Sequence, residues 1–99
     1  MSNAPFQQAF RVAVSHPSLP GHFPGAPLVP GVMLLEQVAV ALRAWRGERL
    51  ARVLDAKFVA PLLPGQEATV TLTDANGRVR FEIRHDDAVL ARGSIEGAA

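Results

Sequence analysis

The stretch Gly21-His22-Phe23-Pro24-Gly25-Ala26-Pro27-Leu28-Val29-Pro30-Gly31 runs directly into Val32-Met33-Leu34-Leu35-Glu36-Gln37-Val38-Ala39-Val40-Ala41-Leu42-Arg43-Ala44-Trp45. Three prolines and three glycines in the first part fix an irregular backbone, and a loop this stiff holds His22 in place. The second part is a long apolar pattern with a helical start at Pro30-Gly31 and a stop at Arg46-Gly47. Glu36 is its only acidic residue. Burying an ion without a partner is costly, so a glutamate on a helix that reads as apolar on every side is paired, neutralised by a proton, or lines a cavity. Each of these marks a site.

Working outward, 99 residues make one domain, and 48% hydrophobic with 19% charged residues is the composition of a globular chain rather than a disordered one. So short a chain buries a modest share of its surface, and an all-apolar helix needs cover on every side. A partner subunit is therefore expected. The net charge of +1 argues against bulk nucleic-acid binding. The absence of cysteine excludes disulfides, thiolate nucleophiles and cysteine metal sites. The first residues lack the basic region and apolar core of a secretory signal, and Val32 to Leu42 is short of the roughly 20 residues that span a bilayer. A cytoplasmic protein is the expectation.

Strand patterns flank the helix. Phe10, Val12 and Val14 alternate with Arg11, Ala13 and Ser15, a period of two that predicts a strand over Gln8 to Ser15, ended by the prolines after His16. Leu54, Ala56, Phe58 and Ala60 predict a second strand, followed by a turn at Pro61-Leu62-Leu63-Pro64-Gly65. Ala68, Val70 and Leu72 form the inward set of a third. Asp74-Ala75-Asn76-Gly77 is a hairpin signal, since asparagine and glycine tolerate positive φ. Val79, Phe81 and Ile83 form the fourth strand. His85-Asp86-Asp87 turns the chain into a fifth through Val89, Ala91, Gly93 and Ile95. Short turns favour antiparallel neighbours, so the fold class is α+β, with an antiparallel sheet curled around one apolar helix.

Charge gathers in one region. Arg43, Arg46, Arg49, Arg52 and Lys57 stand against Glu48 and Asp55. This reads either as a solvated helix end whose arginines complement the dipole, or as a docking surface for an acidic partner.

The three histidines differ. His85 lies in a hairpin turn and reads as a surface residue, and His16 ends a strand. No zinc site is credible, with no cysteines, no histidine pair at helical spacing and no carboxylates clustered beside His22. No serine sits in a nucleophile elbow, and the glycines lack dinucleotide-fingerprint spacing. What remains is His22 and Glu36 as an acid/base pair: histidine titrates near neutrality, and a carboxyl among apolar groups resists ionisation. At Gly31 the first turn of the helix offers unpaired N–H groups and a positive dipole end, which polarise a docked carbonyl, and glycine permits close approach. Polarising a carbonyl while removing the adjacent proton forms an enolate. An acid that protonates a β-hydroxyl turns this into dehydration.

The motif Gly21-His22-Phe23-Pro24-Gly25-x-Pro27-x-x-Pro30-Gly31-Val32, with a glutamate fourteen residues after the histidine, resembles the signature of the 3-hydroxyacyl-[acyl-carrier-protein] dehydratases of bacterial fatty-acid synthesis. Lys57-Phe58-x-x-Pro61-Leu62-x-Pro64-Gly65 is similar to the strand and turn that follow in that family, so the resemblance covers residues 10 to 96. It implies a hotdog fold, a homodimer or higher homo-oligomer, and no cofactor or metal. It further implies His22 as the catalytic histidine, Glu36 as the catalytic acid supplied from the other subunit, and Gly31 as the backbone donor to the thioester carbonyl. An apolar acyl tunnel would be lined by Phe23, Pro30, Val32 and Val40. Arg43, Arg46 and Lys57 would meet the acidic carrier protein.

Two departures from the family pattern stand out. Val40 occupies the position, four after the carboxylate, where the family usually has glutamine, with Gln37 as a nearby substitute. Fewer residues precede the first strand than in typical members, a likeness to the compact dehydratase-like proteins of polyketide or aryl-polyene type clusters. The isomerising branch carries aspartate at the Glu36 position, which argues against double-bond isomerisation. The competing readings are a hotdog thioesterase whose helix carboxylate activates water, in which His22 has no role, and a non-catalytic subunit that binds acyl chains or a partner.

Overall fold

The computed structural model describes residues 4–13 and 28–99. His16, His22, Phe23 and the rest of the segment 14–27 lie outside the described residues. The elements are β1 (Phe6–Arg11), α1 (Gly31–Arg46), β2 (Arg49–Phe58), β3 (Glu67–Ala75), β4 (Arg78–His85) and β5 (Ala88–Ala98). All strand pairings are antiparallel, in the order β1-β3-β4-β5-β2, with α1 packed on one face.

The helix runs between its expected signals. Pro30 sits at its N-cap in extended conformation, and Gly47 ends it at φ 68°, its N–H donating to Arg43 O at 2.8 Å. A left-handed turn of this kind favours glycine. Arg43 and Arg46 fall in the last turn, where cations complement the negative end of the dipole. That end is also tied down. The Trp45 ring stacks on Phe6 of β1 at 6.2 Å, and the Arg46 guanidinium lies 4.0 Å over Trp45 while pairing with Asp74 of β3 at 3.1 Å.

The inward sets of β3 and β4 are those read from the alternation. Ala68, Val70 and Leu72 face Met33, Leu34, Val38, Ala41 and Leu42 of the helix together with Val79, Phe81 and Ile83, all buried. Asn76-Gly77 turns β3 into β4 with φ of 51° and 84°, and Asp86 turns β4 into β5 at φ 53°. β5 departs from strict alternation. Ile83 faces Ala91 but Arg84 faces Val89, so Leu90 is an inserted residue and both it and Ala91 are buried.

Three sequence expectations are corrected. The first strand covers Phe6–Arg11, earlier than Gln8 to Ser15; Phe6 and Phe10 pack against the core, and Val14 lies outside the described residues. β2 begins at Arg49, so the arginine-rich region is half helix end and half strand. Its period is broken by bulges at Ala51 and Leu54, which hid it. His85 is half-buried and structural: its Nδ1 donates to Glu67 O at 2.7 Å, pinning the β4–β5 hairpin to the start of β3. Within this chain the helix is not covered on every side, the situation in which a partner subunit was expected. Val32, Glu36 and Val40, spaced one turn apart, form an exposed stripe, with the two valines 63% and 49% exposed.

Candidate active site at the helix N-terminus

The chain enters the helix over a short apolar ledge. Val29 N–H donates to Leu62 O at 2.9 Å, which ties the entry segment to the turn after β2. That turn is itself held by the sheet: Val59 and Ala60 N–H both donate to Leu90 O, at 2.7 and 3.2 Å, the carbonyl of the residue inserted in β5. The bulge therefore positions the segment facing the helix start. Between the two segments lies a cavity of about 490 Å³ lined by Val29, Gly31, Leu34, Phe58, Val59, Ala60, Pro61 and Leu62.

Among the described residues no side chain caps the helix start, and the first turn is closed by Met33 N–H to Pro30 O at 3.0 Å. The leading N–H groups stand at the positive end of the dipole. Two larger hollows, of about 720 and 630 Å³, are bordered mainly by charged and polar side chains of the sheet, such as Lys57, Arg80 and Glu82 in one and Arg11, Glu67 and His85 in the other. The apolar one at the helix start suits an acyl group.

The residues singled out from the sequence distribute as follows. Gly31 opens the helix and lines the cavity, with Pro30 half-buried beside it. Glu36 is exposed and does not line it: five positions beyond Gly31, it lies about 140° further round the helix. Val32 and Val40 flank it on the exposed stripe. His22 and Phe23 lie outside the described residues. The three basic residues stand in different settings. Arg46 is engaged by Asp74 and Trp45, Arg43 is exposed on the helix, and Lys57 sits opposite Arg92 beside the large polar hollow of the sheet. The site residue that sequence reasoning missed is Phe58, whose position in the Lys57-Phe58-x-x-Pro61 motif was the available signal. Among the described residues, no three histidine, aspartate or glutamate side chains converge as a metal site would require. Among the described residues, no helix is long and apolar enough to cross a membrane.

One helix laid on a five-stranded antiparallel sheet is the architecture of hotdog-fold proteins, and solved structures match it over nearly the whole chain. A chain of the dehydratase heterocomplex ApeI:P from Xenorhabdus doucetiae superimposes with a TM-score of 0.83 at 20% identity, covering 99% of this chain and 90% of that one. Slr0204, a 1,4-dihydroxy-2-naphthoyl-CoA thioesterase from Synechocystis, gives 0.66 at 21% identity, over 93% and 79%. The fold is thus common to proteins of different activity. Sequence narrows it: residues 2–94 match the family model of the ApeI-like dehydratases, described as ApeI dehydratase, and the chain belongs to that family. Among its relatives are 3-hydroxyacyl-[acyl-carrier-protein] dehydratases FabZ. That of Polynucleobacter necessarius is 36% identical over 85% of this chain and 66% of its own length. That of Chlamydia trachomatis serovar L2 is 39% identical over 71% and 56%. The chain spans less than two thirds of the length of these relatives.

Proposed function

We propose that this chain is a hydro-lyase subunit that removes water from a 3-hydroxyacyl thioester carried on acyl carrier protein, giving the trans-2-enoyl thioester, in fatty-acid or polyketide-type synthesis in the cytoplasm. The thioester carbonyl docks at the uncapped start of the helix, where the Gly31 N–H and the dipole stabilise negative charge on its oxygen. His22 removes the α-proton. The electron pair forms the α,β double bond as the β-hydroxyl leaves, protonated by Glu36, and the water departs. The chain's own side chains and backbone carry every proton in this sequence, without a cofactor.

The observation that carries the reading is the apolar cavity at a helix start that no side chain among the described residues caps, next to an exposed apolar stripe bearing one carboxylate. Because Glu36 points away from the cavity of its own chain, the acid for each site comes from a second copy. β2 supports this pairing, as a ten-residue edge strand with little cover. Burying Val32 and Val40 between copies makes them, with Pro30 and Phe23, walls for the acyl chain. Arg43 and Lys57 attract the acidic carrier protein; Arg46 serves the fold instead.

The test is a panel of carrier-bound 3-hydroxyacyl chains of different lengths, incubated with the protein and read by mass spectrometry. Loss of one water with the thioester intact is the expected result. Release of free thiol assigns a thioesterase, and no change at any length assigns a binding subunit.

A further inference from the structure

Among the described residues, the side chain nearest to a Cβ built on Gly31 is the ring of Phe58. A Cβ built on Gly31 stands 3.0 Å from Phe58 Cζ and 3.1 and 3.4 Å from its two Cε atoms. The ring tip therefore rests on the glycine itself, and the space that a side chain at residue 31 would need is already filled. The backbone behind the ring is fixed. Phe58 pairs with Ala91 at the end of β2, and the next two N–H groups share the Leu90 carbonyl. The ring itself is 49% exposed, so it forms a wall on the open side of the cavity rather than part of the core.

We infer that Phe58 is a specificity-determining residue, whose ring restricts the site to thioesters unbranched at the α-carbon. This rests on the docking of the carbonyl at Gly31 proposed above. An oxygen about 2.9 Å from the Gly31 nitrogen leaves the α-carbon two bonds further on, next to a glycine whose Cβ position is covered by the ring tip. A hydrogen on that carbon passes beside the ring. A methyl group there competes with it for space.

The test compares a 3-hydroxyacyl thioester with its 2-methyl counterpart of equal length on the same carrier. The 2-methyl substrate is supplied as both epimers and keeps one α-proton to lose. For the wild type, kcat/KM favours the unbranched substrate by about tenfold or more, the scale on which one carbon discriminates in an apolar pocket. Phe58→Ala lowers that ratio by about tenfold and Phe58→Leu by less. The ratio is the readout because damage to folding or to the catalytic groups lowers both rates together. Phe58→Leu keeps most of the buried contact and carries the comparison if Phe58→Ala does not fold. A ratio unchanged in the folded variants, or equal turnover of both substrates by the wild type, overturns the inference and leaves the dehydratase reading standing. Failure of the wild type to dehydrate the unbranched substrate removes both.

Discussion

Two glycines show how differently the two halves of this molecule are built. Gly93 lies in β5 opposite Phe81, and a Cβ there would collide with Asp55 O and stand 2.9 Å from Ala56 Cα. Those are backbone atoms of β2, which cannot yield without breaking the sheet. Among the described residues, Gly31 meets the far end of the flexible Phe58 side chain. The sheet interior, with Leu72, Ile83, Ala91 and Ile95 fully buried, is closed within one chain. The helix stripe and the end of β2 leave Val32, Val40, Phe58 and Val59 exposed. Fold stability thus resides where packing is complete, and the proposed site lies where it is not.

The largest effect that sharpens this contrast is Gly93→Ala. It is expected to cost about 3 kcal/mol or more, read by urea denaturation, because the sheet has to open for one methyl group. Glu36→Gln works the other way. It is expected to lower kcat about 10²- to 10⁴-fold while leaving unfolding free energy within about 0.5 kcal/mol of wild type, since an exposed side chain contributes little to one chain's core. The smallest effect is a coupling. Gly31→Ala is expected to be better tolerated in a Phe58→Ala background than alone, by about 1 kcal/mol in a double-mutant cycle on stability. Additivity of the two changes would mean that ring and glycine do not meet.

Much of this was legible from single residues. Pro30-Gly31 and Gly47 bracket the helix, and Asn76-Gly77 and Asp86 turn the hairpins, because positive φ and proline's fixed φ are local demands. The inward sets of β3 and β4 follow from strict alternation. β2 was misread because its bulges at Ala51 and Leu54 shift the period, and Leu90 was missed in β5 for the same reason. The buried Oε1 of Gln8, which has no hydrogen-bond partner among the described residues, breaks the polarity rule on the β1 inward face. In the candidate site, the helix start and the isolated carboxylate could be read from sequence. The exposure of Glu36 could not, since an apolar helix looks alike whether its cover comes from its own chain or another. Nor could the Phe58 contact, made 27 positions from Gly31 and set by the register of β2 on β5.

The central claim is that each site is completed by a second copy. It is tested most directly by mixing two inactive variants, His22→Ala and Glu36→Gln, after dissociation and reassociation. If histidine and glutamate come from different subunits, half of the dimers are mixed and each holds one intact site, so dehydration returns to about a quarter of the wild-type rate. If both residues come from the same chain, every site lacks one of them. A mixture as inactive as its components, with mixed dimers demonstrably formed, contradicts the account.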